Sequence, residues 1–192
     1  MSRYRVSEFA ELDSTNRYAC GRLRELADGD VIQAGIQTAG HGRWERKWIS
    51  DVPGNLCLSL VLKPAGLPAA LPLAGLSQLL ALSVCRMLET YGVQPALKWP
   101  NDIQVAGRKI AGILAETVVE GGEFLGLVLG LGLNLNLDAT VLAALDQPAT
   151  ALNLELGRYV SVLTFRDALL AEFFARYDEF LTTSFPLIRA EY

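Results

Sequence analysis

The chain has 192 residues and a mass of 20.9 kDa, enough for one domain with a substantial core, and its 51% hydrophobic and 20% charged residues exclude intrinsic disorder. The 17 basic and 21 acidic side chains give a net charge of -4, which argues against a protein that binds DNA through its phosphates. Three cysteines and one histidine are too few for a four-ligand zinc site or a disulfide framework.

The sequence predicts neither a membrane span nor a secretory signal. The longest uncharged run, between Lys63 and Arg86, carries three prolines in its first half, so we expect a surface loop and then a buried helix that continues to Leu88 and stops at Gly92. The N-terminal segment contains no apolar stretch of the kind that secretory signals require. Together with the scattered cysteines, these features predict a cytoplasmic protein with reduced thiols.

Apolar spacing predicts alternating helices and strands along the chain. In chain order, the predicted elements are an amphipathic helix that follows Asp13 or Ser14 as N-cap and runs to Ala27, strands at 31–37 and 56–62, the buried helix described above, two hairpins that turn at 106–107 and 121–122, with the last strand reaching Leu137, and a closing helix from 161 to about 181. Strands that meet in hairpins, with helices before, between and after them, indicate one α+β domain over residues 1–192. We expect a mixed, mostly antiparallel sheet with the helices largely on one face.

A glycine-rich and basic loop follows the first of these strands, with the sequence QTAGHGRWERKW over residues 37–48. Glycines let the backbone approach a ligand closely and turn N–H groups toward an anion, and arginine grips carboxylate or phosphate. The loop is therefore a candidate anion site. The alternative is a solvated hairpin loop with exposed cations.

The segment KWPND, residues 98–102, is unusual at the end of a strand. Lys98 and Asp102 bracket Trp99, an arrangement that can hold a metal-bound polyphosphate, with the carboxylate on Mg²⁺ and the lysine on a phosphate oxygen. The alternative is an ordinary turn, because Pro100 favours an extended residue before it and a turn after it.

Two further positions suggest contact with a ligand. Lys109 opens a strand in which small residues leave space beside it, although a lysine there can equally protect a sheet edge. Asn134 follows the glycine-leucine repeat at 130–133, which suggests that another backbone or a ligand packs against that face. The alternative is a polar outward face that Asn134 shares with Asn136.

In this order and spacing, the segments resemble the catalytic domain of biotin protein ligase, in the biotin/lipoate ligase superfamily with its class II aminoacyl-tRNA synthetase-like fold. The resemblance covers essentially the whole chain and rests on DSTN at 13–16, the loop at 40–48, KWPND at 98–102, KIAGILAE at 109–116, GLGLN at 130–134 and ATAL at 149–152. It implies ATP-dependent activation of biotin to biotinyl-AMP, with release of pyrophosphate. The biotinyl group then passes to a lysine of a biotin carboxyl carrier protein domain of acetyl-CoA carboxylase.

The resemblance also implies which residues form the site. Those expected to bind biotin are Ser14, Thr15, Asn16, Gln37, His41, Gly42, Arg43 and Lys109. Those expected to bind ATP are Arg43, Arg46, Trp48, Asn101, Asp102, Lys109, Gly112 and Asn134. Lys109 and Arg43 would be the catalytic cations, and Asp102 would bind Mg²⁺.

The sequence departs from the family pattern in the basic loop. The family commonly reads GRGRRGRxW there, whereas His41 and Trp44 replace arginines and Glu45 replaces a glycine in this chain. Relatives often carry an N-terminal helix-turn-helix and nearly all carry a C-terminal β-barrel domain, and we expect neither here. These departures leave open a biotin-binding pseudoenzyme, and the shared fold leaves open a lipoate or octanoate ligase or transferase.

Partners other than the acceptor domain are expected to be few. The resemblance and the acidic charge indicate no nucleic-acid partner, and the absence of a predicted span indicates no membrane partner. The strand 56–62 and the strand that ends at Leu137 are expected to be sheet edges that serve either a homodimer or docking of the acceptor.

Overall fold

The computed structural model describes residues 3–63 and 73–183. Within these ranges the strands are β1 (Arg5–Leu12), β2 (Asp30–Gln37), β3 (Leu56–Leu62), β4 (Pro95–Lys98), β5 (Asp102–Val105), β6 (Arg108–Glu120) and β7 (Glu123–Leu133). The helices are α1 (Thr15–Gly21), α2 (Leu73–Thr90), α3 (Ala139–Ala143), α4 (Leu152–Leu156) and α5 (Val162–Thr183), with a 3₁₀ turn at Arg43–Glu45. The predicted surface loop with its three prolines lies outside the described residues.

The strands form one sheet in the order β1-β2-β3-β7-β6-β5-β4. Strand β1 pairs parallel with β2, and the other neighbours pair antiparallel, so the predicted mixed, mostly antiparallel sheet is confirmed. Both predicted hairpins are present, and their turns at 106–107 and 121–122 have positive φ at both central residues. The edges of the sheet are β1 and β4. The expectation that the strand 56–62 and the strand after Gly122 lie at edges is wrong, because β3 and β7 are central neighbours.

Strand β3 is buried on both faces. Its leucines, which recur with period two, point into the main core formed with α2 and α5. Val61 packs on the opposite face with Ala19 of α1 and with Leu23, which follows that helix. Ser59 has the same parity as Val61, so its hydroxyl also faces α1.

Helices α2 and α5 cover one face of the sheet, and α1 covers the other. The prediction that the helices lie largely on one face is therefore confirmed. The core on the α2 and α5 side includes a cluster of aromatic rings from Phe173, Phe174 and Tyr177. Among the described residues, none of the helices combines the length and apolarity needed to cross a bilayer.

Two predicted element boundaries are wrong. Helix α1 ends at Gly21 rather than Ala27, because the chain continues in turns, where the Arg22 N–H donates to Ala19 O (3.2 Å) and Leu23 turns inward. Strand β7 ends at Leu133 rather than Leu137, because the chain leaves the ladder there and the Asn136 N–H donates to Gly54 O (3.0 Å).

Candidate functional site

A cavity of about 310 Å³ opens on the face of the sheet that α1 covers. It collects residues from the start of α1, the basic loop, the KWPND turn and the middle of β6 and β7. The predicted site residues that line this single cavity are Ser14, Thr15, Asn16, Gln37, His41, Gly42, Arg43, Arg46, Trp48, Asn101, Asp102, Lys109 and Gly112. Residues from 14–16, 37–48, 98–114 and 130–132 therefore meet at one place.

Glycines on β6 and β7 form the floor of this cavity. Gly112 pairs with Gly132 across the two strands, and Gly130 lies on the same face. A Cβ atom added at Gly132 would lie 2.6 Å from Trp48 Nε1, and one added at Gly130 would lie 2.9 Å from Asn16 Cγ. The sequence predicted another backbone or a ligand on this face, and the groups that pack directly on Gly132 and Gly130 are the Trp48 and Asn16 side chains.

One end of the cavity, called the closed end below, is lined by the buried residues Thr15, Asn16 and Gln37. Gln37 fixes the hydrogen bonds there. Its Oε1 accepts from the Thr15 N–H (2.8 Å) and lies 3.1 Å from Thr15 Oγ1, while its Nε2 donates to Ser50 Oγ (3.1 Å). Ser14 caps α1, with its Oγ accepting from the Arg17 N–H (3.4 Å). The Gln37 amide is thus held in one orientation by a backbone donor on one side and a hydroxyl on the other.

Two residues that the sequence reasoning did not select complete this end. Ser59 Oγ lies 2.8 Å from Thr15 Oγ1 and 2.5 Å from Asn16 Oδ1, and the side chain is fully buried. Asn16 Nδ2 donates to Glu116 Oε2 (2.6 Å) and to Leu114 O (3.3 Å). The available signal for Ser59 was a hydroxyl in the middle of the apolar strand LCLSLVL, since buried polar groups need partners.

The basic loop folds as a short hairpin beside the cavity. His41 pairs with Lys47, the Gly42 N–H donates to Arg46 O (2.8 Å), and the Trp48 N–H donates to Gly40 O (2.9 Å). At the tip Trp44 has φ of 58° and its side chain is 84% exposed. This conformation agrees with the alternative of a solvated hairpin loop. The loop still brings His41, Gly42 and Arg43 to the cavity wall.

Lys109 and Asp102 form an ion pair at the centre of the cavity. Lys109 Nζ lies 2.8 Å from Asp102 Oδ1 and 5.4 Å from the centroid of the Trp48 ring, and the side chains of Lys109 and Asp102 are 15% and 19% exposed. Strand β6 lies between β5 and β7, so the alternative that Lys109 protects a sheet edge is wrong. Burying an ammonium group here requires an anionic partner, and Asp102 supplies one in the absence of substrate.

The KWPND turn is fastened to β6 by backbone and amide groups. The Asn101 Nδ2 donates to Ile113 O (3.1 Å), and the Ile113 N–H donates to Asn101 O (2.9 Å). Trp99 stands at the rim with 77% of its surface exposed. The turn therefore has a structural role that also fixes Asp102 next to Lys109.

Three polar atoms that line this cavity are buried and have no hydrogen-bond partner among the described residues. They are His41 Nδ1, Trp48 Nε1 and Asp102 Oδ1, the last of which meets Lys109 at ion-pair distance without hydrogen-bond geometry. Buried polar groups are usually paired, and leaving one unpaired is costly. Their concentration in one cavity indicates where the polar groups of a ligand bind.

Asn134 lies apart from the other predicted site residues. It lines a smaller cavity of about 40 Å³, which shares Trp48 and Lys109 with the larger one. Its Nδ2 donates to Thr150 O (3.0 Å) and its N–H donates to Ile110 O (2.9 Å), and the residue is buried. The alternative that Asn134 lies on an outward polar face is therefore wrong.

The thiols near the site are not suited to nucleophilic catalysis. Burial raises the pKa of Cys57 to about 12, and Cys57 lies close to Gln37, Ser50 and Trp48. Burial likewise raises the pKa of Cys20 to about 11 and that of Cys85 to about 12. Because the thiolate is the reactive form, these groups are inert near neutral pH. The groups that the cavity does offer are hydrogen-bonding side chains at one end and cations at the other.

A comparison with protein families finds one match. The sequence model of the Biotin/lipoate A/B protein ligase family matches residues 8–134, which contain each of the predicted site residues.

Curated relatives and solved structures agree with this match. The bifunctional ligase/repressor BirA of Salmonella typhimurium is 39% identical over 131 residues, 68% of this chain and 40% of the relative. A biotin--[acetyl-CoA-carboxylase] ligase of Paracoccus denitrificans is 36% identical over 179 residues, 91% of this chain and 73% of the relative. The structure of a biotin protein ligase from Aquifex aeolicus in complex with biotin and ATP superposes with a TM-score of 0.81 at 27% identity, over 97% of this chain and 75% of that chain. The chain spans half or less of the length of several curated relatives.

Proposed function

Because this chain belongs to the biotin/lipoate A/B protein ligase family, we propose that it activates biotin with ATP and transfers the biotinyl group to a lysine of a biotin carboxyl carrier protein domain of acetyl-CoA carboxylase. The observation that carries the proposal is a single cavity that joins a neutral hydrogen-bonding end to a half-buried lysine and a basic loop. The names of the relatives support biotin as the acid and ATP as the second substrate.

Biotin lies with its ring system at the closed end and its carboxylate toward Lys109. Thr15, Asn16 and Gln37 present hydroxyl and amide groups there, which match the donors and acceptors of a neutral urea. Lys109 and the loop residues His41 and Gly42 lie further along the same cavity. A carboxylate that reaches Lys109 competes with Asp102 for its ammonium group.

ATP binds where the two cavities meet. Trp48 and Lys109 line both of them, and Asn134 lines the smaller one. The Trp48 indole gives the adenine ring a flat apolar surface, and Arg43 and Arg46 are near enough to the larger cavity to receive the phosphates.

The reaction then needs positioning and charge neutralisation. The biotin carboxylate attacks the α-phosphorus of ATP and pyrophosphate leaves, which brings two anions together. Lys109 and Arg43 stabilise that charge. In the second step the acceptor amine attacks the mixed anhydride and AMP leaves. No nucleophile from the protein is required, in agreement with the raised thiol pKa values.

Asp102 fits a role in binding Mg²⁺. Its Oδ1 is a buried carboxylate oxygen that lies 2.8 Å from Lys109 Nζ without hydrogen-bond geometry, and oxygen is the ligand that this ion prefers. The described residues include no group of three His, Cys, Asp or Glu side chains that could enclose a metal, so ATP phosphates would complete the coordination. The ion would supply positive charge for the phosphates.

The residues of the cavity favour biotin activation over two alternatives. A lipoate or octanoate ligase or transferase belongs to the same family, but the hydrogen-bonding closed end favours a ligand with a polar ring. In the basic loop, the residues that favour a biotin-binding pseudoenzyme are His41, Trp44 and Glu45. Lys109 and Asp102 remain paired in the cavity, which favours a working site.

The other expectations from the sequence extend the same proposal. Residues 1–192 act as one catalytic domain in the cytoplasm, without a nucleic-acid or membrane partner. Any homodimer formed through the sheet uses β1 or β4, which are its edges.

The test is biotin labelling of an isolated acceptor domain. Wild-type protein should label the acceptor in a reaction that requires both ATP and biotin, and Lys109→Ala should be slower by about 10² to 10³. Arg24→Ala removes an exposed cation outside the cavity and serves as the control. Biotin binding without labelling at saturating ATP would indicate the pseudoenzyme, and labelling by lipoate in place of biotin would indicate the alternative ligase.

A further inference from the structure

The hydrogen bonds at the closed end of the cavity have one proton fewer than they require. Two amides there have fixed orientations. Gln37 Oε1 faces Thr15 because it accepts the Thr15 N–H. Asn16 Oδ1 faces Ser59 because Asn16 Nδ2 donates to the carboxylate of Glu116 and to Leu114 O. Both amide oxygens can therefore only accept.

Three oxygen–oxygen contacts link these groups in a row. They run from Asn16 Oδ1 to Ser59 Oγ (2.5 Å), from Ser59 Oγ to Thr15 Oγ1 (2.8 Å), and from Thr15 Oγ1 to Gln37 Oε1 (3.1 Å). Only the two hydroxyl groups carry protons, one each. In every arrangement of two protons over three contacts, one contact is left with lone pairs facing each other. These atoms are buried, where such a mismatch is costly.

A ligand that brings an N–H group corrects the mismatch. If its N–H lies between Gln37 Oε1 and Thr15 Oγ1 and donates to both, the Thr15 hydroxyl is free to donate to Ser59, and Ser59 donates to Asn16. Thr15, Asn16 and Gln37 line the cavity, while Ser59 stands behind them on β3 and does not. We propose that Ser59 is a positioning residue that makes this cavity select ligands with N–H donors, an inference that rests on the proposed function.

The selection separates the two acids that members of this family handle. Biotin and lipoate both carry a five-carbon acid chain, but the biotin ring has two urea N–H groups and the dithiolane ring of lipoate has none. A site that hydrogen-bonds a substrate N–H rejects an analogue without it more strongly than an apolar pocket could, because its own polar groups stay unpaired. Ser59 creates that penalty without touching the ligand.

The substitution Ser59→Ala tests this directly. It removes two of the three contacts and leaves the Thr15 hydroxyl to donate to Gln37, so the one oxygen–oxygen contact that remains has a proton. We expect calorimetry with the whole chain to show biotin binding about tenfold weaker, from the loss of one completed hydrogen-bond network, with lipoate binding unchanged or tighter. The biotin-to-lipoate affinity ratio should fall, and ATP binding should stay within twofold of wild type.

Ser83→Ala is the matched control. Ser83 is also fully buried, its Oγ has no hydrogen-bond partner among the described residues, and it lies on α2 away from the cavity. It should leave both affinities and their ratio unchanged.

Glu116 provides a second variant that does not touch the core. In Glu116→Ala the Asn16 amide keeps only the longer contact to Leu114 O (3.3 Å), so it can turn and donate Nδ2 to Ser59, which supplies the missing proton from within the protein. The biotin-to-lipoate ratio should then fall as it does in Ser59→Ala. Glu116→Gln keeps an acceptor for Asn16 and should restore most of the ratio.

The outcomes separate this inference from the proposed function. An unchanged biotin-to-lipoate affinity ratio in Ser59→Ala would overturn the role of Ser59, and so would equal ratios in Glu116→Ala and Glu116→Gln. Neither result would affect the proposed function, provided that the wild type binds biotin. If wild type bound no biotin, the proposed function itself would fail. Should Ser59→Ala unfold, the Glu116 pair alone decides.

Discussion

Adding one methyl group to the glycine floor of the cavity should lower the activity by an amount that depends on how closely the new atom approaches its neighbours. In Gly132→Ala the new Cβ would lie 2.6 Å from Trp48 Nε1 and 2.7 Å from Trp48 Cζ2. Carbon atoms in contact normally stand about 3.5 Å apart, so the indole must retreat by about 1 Å. The backbone N–H of Trp48 donates to Gly40 O (2.9 Å), so a shift of this residue displaces the basic loop as well.

The size of the effect follows from that displacement. Misplacing a group by about 1 Å in a catalytic site costs about 10² in rate, so adenylation by Gly132→Ala should fall by about that factor in kcat/KM for ATP. A Cβ at Gly112 would lie 3.4 Å from Lys109 Nζ and Trp48 Cζ3, which needs only small shifts, so Gly112→Ala should lose less than tenfold. Gly21→Ala has open space around it and should keep full activity.

Pyrophosphate release at varied ATP measures this series, with thermal unfolding of each variant alongside. Overpacking in Gly132→Ala should cost about 1–3 kcal/mol in unfolding free energy, which leaves most of the protein folded at 25 °C. If Gly132→Ala kept kcat/KM for ATP within threefold of wild type, Trp48 would not form part of the nucleotide site. Equal losses in all three variants would show that the clash distances do not control activity.

Two further perturbations test the closed end and the buried thiols. Gln37→Ala removes the acceptor of the Thr15 N–H (2.8 Å) and should weaken biotin binding at least about tenfold in calorimetry, and an unchanged affinity would refute the placement of the ring of biotin there. Burial raises the pKa of Cys57 and of Cys85 from 9.0 to about 12, so the unfolded chain loses these protons first as the pH rises. The stabilisation is complete below pH 9, and above it the free energy of unfolding should fall by about 1.4 kcal/mol per pH unit for each thiol. Urea titrations from pH 8 to 11 check this slope, which Cys57→Ala and Cys85→Ala should each reduce, and an equal slope in wild type and both variants would contradict it.

The central strands, long helices and hairpins were predictable because their signals are local. The alternation of leucines in β3 and the two-residue turns at 106–107 and 121–122 depend on neighbouring residues only. Strand β1 was not predicted, because its apolar residues are irregularly spaced and it is an edge strand with one partner, β2. Its identity as a strand comes from pairing with a segment 25 residues away.

The residues that line the cavity could be predicted from sequence motifs, but the hydrogen-bond network behind them could not. Ser59 is 43 residues from Asn16, and Glu116 is 100 residues from it, and nothing in their local sequence shows that they meet. Asn134 was selected from the glycines that precede it, yet its partners lie in the segment around Thr150. Such contacts depend on the packing of α1 and of distant loops against the sheet.

The most direct test of the proposed function is formation of the adenylate without an acceptor. Wild-type protein with biotin, ATP and Mg²⁺ should form biotinyl-AMP, detected by mass spectrometry of the quenched reaction, together with an equal amount of pyrophosphate. Lys109→Ala should form it more slowly by about 10² to 10³. If wild type produced no biotinyl-AMP, or released pyrophosphate at the same rate without biotin, the account of this cavity as a biotin-activating site would be contradicted.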